Sequence, residues 1–212
     1  MSERKVKIKI CGMREPANLR EIASLKPDFI GLIFYSRSPR FITIEQVQTL
    51  PQFDETKRVG VFVNEKLENI CTIAQSANLN FAQLHGAESP DFCAEVKNQL
   101  PDLQIIKAFA VDENFDSVIL QNYAEVCDFF LFDTKTREHG GSGRSFDWQI
   151  LQRFEIPRPF FLGGGIGAEN TAAATNACAK LPLYAIDINS RAEIAPGLKS
   201  RVIVESIIQQ IN

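Results

Sequence analysis

Short apolar runs recur along this chain roughly every 25 residues, separated by longer stretches whose apolar positions follow helical spacing. The runs predict strands over Val6–Ile10, Phe29–Phe34, Arg58–Val63, Phe81–His85, Gln104–Phe109, Phe129–Asp133, Phe160–Leu162 and Leu183–Ile188. The intervening patterns predict helices over Pro16–Leu25, Ile44–Leu50, Lys66–Ala77, Pro90–Leu100, Ser117–Tyr123, Trp148–Phe154, Asn170–Cys178 and Arg201–Ile211. Strands that read as continuous apolar runs, rather than alternating ones, are covered on both faces, as in a parallel sheet. Eight βα units in 212 residues, with no linker or low-complexity segment, predict an α/β chain folded as one (β/α)₈ TIM barrel over 1–212. That size lies near the small end of the fold's range of about 200 to 400 residues. A doubly wound sheet would more often carry GxGxxG in its first loop. Here that loop reads Cys11-Gly12-Met13-Arg14.

A barrel directs attention to the C-terminal strand ends, where active sites of this fold sit. Those positions hold Cys11, Arg40, Asn64, His85, Asp133, Gly163–Gly165 and Asp187–Arg191. The segment Phe130–Trp148, FLFDTKTREHGGSGRSFDW, is the richest: a buried strand stops at a carboxylate, and Gly140, Gly141 and Gly143 follow. An ionisable group before a glycine-rich loop is how α/β enzymes set a catalytic acid beside a phosphate.

Composition narrows the function classes. Hydrophobic residues make up 45% and charged residues 23%, as in an ordinary globular protein. The net charge is −3 and the pI about 5.5, with Lys and Arg scattered, so the basic footprint of a nucleic-acid partner is missing. No apolar run approaches membrane length, and MSERKVKIKICGM has no signal-like apolar region, so a cytoplasmic location without membrane partner is expected. The five cysteines (Cys11, Cys71, Cys93, Cys127, Cys178) form no CxxC pair, and there are only two histidines. Neither a disulfide framework nor a metal site is expected.

Individual residues leave alternatives open. Gly163-Gly164-Gly165-Ile166-Gly167 and Asp187-Ile188-Asn189-Ser190-Arg191 follow the seventh and eighth strands, where barrels bind phosphate through backbone N–H groups. They would otherwise be tight turns. Asp133 at a strand end would be partly desolvated, which favours the neutral acid. Otherwise it caps a helix or pairs with Lys135 or Arg137. Cys11 is a nucleophile, a base with lowered pKa near loop amides, or an inert packed thiol. Arg40 clamps a carboxylate or phosphate, or is a solvated loop residue. His85 reads first as a hydrogen-bonded structural histidine.

Together these segments resemble the phosphoribosylanthranilate isomerases of tryptophan biosynthesis. The matching pieces are Lys9-Ile10-Cys11-Gly12-Met13, Ser38-Pro39-Arg40, Gln83-Leu84-His85-Gly86, Phe132-Asp133 with Gly140-Gly141-Ser142-Gly143 and Phe146-Asp147-Trp148, Gly164-Gly165-Ile166 with Glu169-Asn170, and Asp187-Ile188-Asn189-Ser190 with Pro196-Gly197-Leu198-Lys199. They occur in order from residue 9 to about residue 200, nearly the whole chain. The resemblance implies an Amadori rearrangement with no cofactor. It implies Asp133 as general acid, Cys11 as thiolate base and Arg40 on the anthranilate carboxylate. The phosphate would lie against Gly141, Gly165 and Ser190, with His85, Gly143, Gly164, Asp187, Asn189 and Arg191 also lining the substrate site. The partner implied is a small phosphorylated substrate; the assembly expected is a monomer or homodimer.

The chain departs from the family where Gly and Val usually follow the eighth-loop serine; Arg191 and Ala192 stand there. A non-Gly residue at positive φ would be strained by roughly 1–2 kcal/mol. Ser200 replaces the family's acidic residue after the final lysine. Two other readings remain: a sugar-phosphate isomerase of the histidine-pathway type, against which Cys11 argues, and a catalytically idle barrel that binds a phosphorylated ligand.

Overall fold

The computed structural model describes residues 6–134 and 146–211. Eight parallel strands close into a barrel in chain order: β1 (Lys7–Ile10), β2 (Phe29–Ile33), β3 (Lys57–Phe62), β4 (Phe81–Leu84), β5 (Gln104–Val111), β6 (Phe129–Thr134), β7 (Phe160–Leu162) and β8 (Leu183–Ile188). Pairing of Lys7–Ile10 with Ala185–Ile188 closes the ring. Around it run α1 (Pro16–Ala23), α2 (Ile44–Gln48), α3 (Leu67–Ser76), α4 (Pro90–Gln99), α5 (Ile119–Tyr123), α6 (Thr171–Ala177) and α7 (Arg201–Ile211). Every predicted strand forms, its ends shifted by at most two residues.

Two elements differ from expectation. The sixth crossover carries a 3₁₀ segment, Trp148–Arg153, capped by the Asp147 carboxylate on the Gln149 amide, instead of an α-helix. After β8 the chain adds an antiparallel hairpin, β9 (Glu193–Ala195) and β10 (Leu198–Lys199), which turns at Gly197. Its sequence EIAPGLK has no apolar run to betray strands.

The strands are buried on both faces because two cores meet there. Outward side chains such as Ile8, Ile30, Leu84, Ile105, Phe130 and Phe160 pack under the helices. Inward, Phe29, Phe81, Phe129 and Phe161 meet edge to face or tilted at 5.3–5.9 Å between ring centroids, and Tyr184 lies 4.6 Å from Phe129. Such pairs add about 0.5–1.5 kcal/mol each beyond area burial. They fill the N-terminal half of the barrel, so the polar inward side chains gather above them at the C-terminal mouth.

Candidate active site

Successive residues of a strand point to opposite faces. In β1 that sends Ile8 and Ile10 outward and Lys9 and Cys11 inward; in β4 it sends Gln83 and then His85 inward. Lys9 is fully buried, and its ammonium donates to Gln83 Oε1 at 2.6 Å and to Asp187 Oδ1 at 3.0 Å. Gln83 Nε2 lies 2.7 Å from His85 Nδ1, and His85 Nε2 lies 3.4 Å from Asp133 Oδ2. Asp133 Oδ1 accepts from the Thr134 amide at 2.7 Å. A continuous polar chain thus crosses the mouth from β8 and β1 through β4 to β6.

Cys11 sits beside that chain, 3% exposed, its amide donating to Ile188 O at 2.8 Å. Burial pushes the thiol up; the Lys9 and Lys199 ammonium groups oppose this, Asp187 adds to it, and the net direction is upward. This corrects the expectation of a lowered pKa: the desolvation that comes with the strand end outweighs its neighbouring cations. For Lys9, burial acts downward, but Asp187 and Cys11 outweigh it, so the ammonium is held above its ordinary range.

Arg40 reaches the mouth on the loop after β2, whose turn is tied by the Ser38 hydroxyl accepting from the Arg40 amide at 3.1 Å. Its guanidinium is committed to Glu193 of the hairpin, Nε to both oxygens at 2.9 and 3.1 Å and Nη2 to Oε2 at 2.7 Å. Nη1 is the remaining edge. Lys199 adds a bond to Glu193 at 2.6 Å and one to Asn189 Oδ1 at 2.9 Å. Burial would raise the Glu193 carboxyl, but Arg40 and Lys199 hold it below its ordinary value. Gly12 is required beneath this cluster: its φ is +76°, and a Cβ there would meet Arg40 Cδ at 2.7 Å.

The glycine loops lie after β7 and β8. Gly164 and Gly165 have φ of +80° and +68°, and a Cβ on Gly164 would meet Thr134 Oγ1 at 2.3 Å, beside Asp133. Asn170 clasps this loop, accepting from the Gly167 amide at 2.8 Å and donating to Gly165 O at 2.9 Å. Ser190 and Arg191 fall in a 3₁₀ turn, Ser190–Ala192. Arg191 does not have positive φ, so the strain considered for a non-Gly residue there is absent. Its guanidinium instead pairs with Glu169, joining the seventh and eighth loops. Ser200 caps α7 through a 3.4 Å contact to the Ile203 amide. Gly141 and Gly143, with Lys135 and Arg137, lie outside the described residues.

Sequence reasoning singled out Cys11, His85, Asp133 and Asp187, which this chain brings together, and missed Lys9, Gln83, Glu193 and Lys199. A signal existed for the first two. Each is a polar residue inside a short apolar strand, and a buried Lys or Gln must have partners. Glu88 was missed as well: it accepts from the Asn64 and Gly86 amides at 2.8 and 2.9 Å and pairs with the buried Lys107 at 3.0 Å. That clasp fixes the loops on either side of His85.

A closed parallel barrel with a thiol, an imidazole and a carboxylate at its C-terminal strand ends, and glycine loops after β7 and β8, defines an enzyme of the (β/α)₈ class. The family model for N-(5'-phosphoribosyl)anthranilate (PRA) isomerase matches residues 8–210, and the chain belongs to that family. It is 43% identical over 208 residues to the N-(5'-phosphoribosyl)anthranilate isomerase of Parabacteroides distasonis, covering 96% of this chain and 92% of that one. It is similar to the crystal structure of the Thermotoga maritima phosphoribosyl anthranilate isomerase (33% identity, TM-score 0.85, 97% and 98% coverage), a dimeric enzyme also solved as generated monomers. It is similar too to a phosphoribosyl anthranilate isomerase in complex with reduced 1-(o-carboxyphenylamino)-1-deoxyribulose 5-phosphate (30% identity, TM-score 0.82, 97% and 98% coverage). Among the described residues no helix is long and apolar enough to cross a membrane.

Proposed function

We propose that the protein isomerises N-(5'-phosphoribosyl)anthranilate to 1-(2-carboxyphenylamino)-1-deoxyribulose 5-phosphate in tryptophan biosynthesis, with Asp133 as general acid and Cys11 as general base. Asp133 gives a proton to the ribose ring oxygen as the C1–O bond breaks, and the nitrogen lone pair forms the Schiff base. The Cys11 thiolate then takes the C2 proton, and the C–H electrons become the enolamine double bond. Tautomerisation delivers the ketone. The observation that carries this reading is the placement of a thiol and a carboxylate at the C-terminal ends of β1 and β6, at one barrel mouth, with Lys9, Gln83 and His85 between those strands. A sugar lying between them meets base and acid without a further group moving.

The remaining contacts follow from the same pose. The free Nη1 edge of Arg40 takes the anthranilate carboxylate, while Glu193 keeps the guanidinium oriented. The phosphate lies against the Gly141, Gly165 and Ser190 backbone, where Gly164 and Gly165 present N–H groups with no Cβ in the way. Arg191, its Cβ against Gly167, ties the two glycine loops together there through its pair with Glu169. Replacing it by Gly is expected to raise KM about tenfold, equivalent to ~1.4 kcal/mol, with kcat little changed. Equal Michaelis constants would remove Arg191 from the phosphate site. A monomer or homodimer is the expected assembly, which light scattering on the eluted protein distinguishes.

The deciding experiment follows the loss of anthranilate-type fluorescence from freshly generated phosphoribosylanthranilate, with wild type beside Cys11→Ala. Turnover by wild type alone supports the assignment. Equal turnover by both discards Cys11 as base; no turnover by either discards the reaction.

A further inference from the structure

Lys9, Gln83 and His85 form a chain in which each hydrogen bond dictates the sense of the next, and Asp133 lies beyond its end. An ammonium can only donate, so the Gln83 atom 2.6 Å from Lys9 Nζ must be the carbonyl oxygen. The amide nitrogen of Gln83 therefore faces His85 Nδ1 at 2.7 Å, and it can only donate too. His85 Nδ1 must accept, so it carries no proton. The ring hydrogen then resides on Nε2, which lies 3.4 Å from Asp133 Oδ2. Turning the Gln83 amide over would set its NH₂ against the Lys9 ammonium, and Lys9 is itself pinned by Asp187 at 3.0 Å.

We propose that Gln83 is a positioning residue that locks His85 as the neutral Nε2–H tautomer, setting the ring hydrogen on the nitrogen nearest the Asp133 carboxyl. The proposal rests on the reading of Asp133 as general acid. An imidazole beside a carboxylate would ordinarily collect the extra proton itself, becoming imidazolium with hydrogens on both nitrogens. Here the second hydrogen would have to sit on Nδ1, against the Gln83 NH₂. The ring therefore keeps its one hydrogen on Nε2, on the side of Asp133. Gln83 is 1% exposed, so no water relieves that conflict. The charged groups around His85 are consistent with it. Asp133 faces it from β6, and the Lys9–Asp187 pair stands behind Gln83. Lys107 from β5 is saturated by Leu84 O, Gly86 O, Ala108 O and Glu88.

The test joins ¹⁵N NMR of the histidine rings to steady-state kinetics. The chain has two histidines, so a His139→Gln variant assigns the signals of His85. In wild type at neutral pH, His85 is expected to show a bare Nδ1 and a protonated Nε2; a proton on Nδ1 would overturn the lock. Gln83→Glu keeps the side-chain shape and the Lys9 contact but turns a donor into an acceptor. It is expected to place a proton on His85 Nδ1 and to lower kcat about tenfold or more, with KM nearly unchanged, as loss of general-acid catalysis requires. A Gln83→Glu enzyme with wild-type kcat, or with Nδ1 still bare, overturns the proposal. Because the histidine spectra need no turnover, failure of the lock is distinguishable from failure of the isomerase assignment, which wild-type turnover alone tests.

Discussion

Cys11 must lose a proton before it can take one, and burial raises the pH at which it does so. An ordinary thiol titrates near 8.5; a raised one supplies less thiolate at neutral pH, and the supply grows as pH rises towards the shifted value. The kcat/KM of wild type is therefore expected to climb through the alkaline range instead of levelling off near neutrality. Lys9→Met removes the cation that opposes the shift, so the climb should move to higher pH and neutral activity should fall. Stopped-flow rates across pH for both proteins check this, and a flat wild-type profile would contradict it. Cys11 shows where sequence reasoning succeeds and stops. Its place at a strand end is legible from the apolar run before it. Its ionisation depends on Lys9, two residues away, and on Asp187, which only the closed barrel brings near.

The hairpin β9–β10 is the element that the hydrophobic pattern did not disclose, because its strands are only three and two residues long and its turn is Pro196-Gly197. Its value lies in what it carries inward: Glu193 meets Arg40 across 153 residues of chain, and Lys199 joins them with no side-chain exposure. Removing the carboxylate leaves two buried cations facing each other. Glu193→Gln is expected to cost about 3–5 kcal/mol in urea unfolding. Glu193 is held below its ordinary value, so its contribution is complete above the unfolded carboxyl pKa of about 4.3 and is lost as pH falls through the folded value. The acid-side slope of stability should flatten in the variant. Strand β2 supports the site by absence: a Cβ on Gly31 would lie 2.7 Å from Cys11 Sγ and 2.9 Å from its Cα. Gly31→Ala should displace the thiol by a few tenths of an ångström and lower kcat roughly tenfold while the protein stays folded. Circular dichroism beside the assay separates these effects.

At the scale of the molecule, eight strands and their order were legible because buried parallel strands read as unbroken apolar runs. The partners of the inward polar residues were not. Lys9 bonds Gln83 and Asp187 at separations of 74 and 178 residues, and no local pattern encodes those distances. Ring closure does. The same closure has a consequence at the opposite end, where Phe29, Phe81, Phe129, Phe161 and Tyr184 fill the interior. Among the described residues that leaves the interior a well open at the C-terminal mouth. Whatever enters by the mouth must leave by it, so a departing ketose and an arriving glycosylamine contend for one passage and cannot share it. Product should accordingly slow the enzyme in a way that more substrate fully reverses.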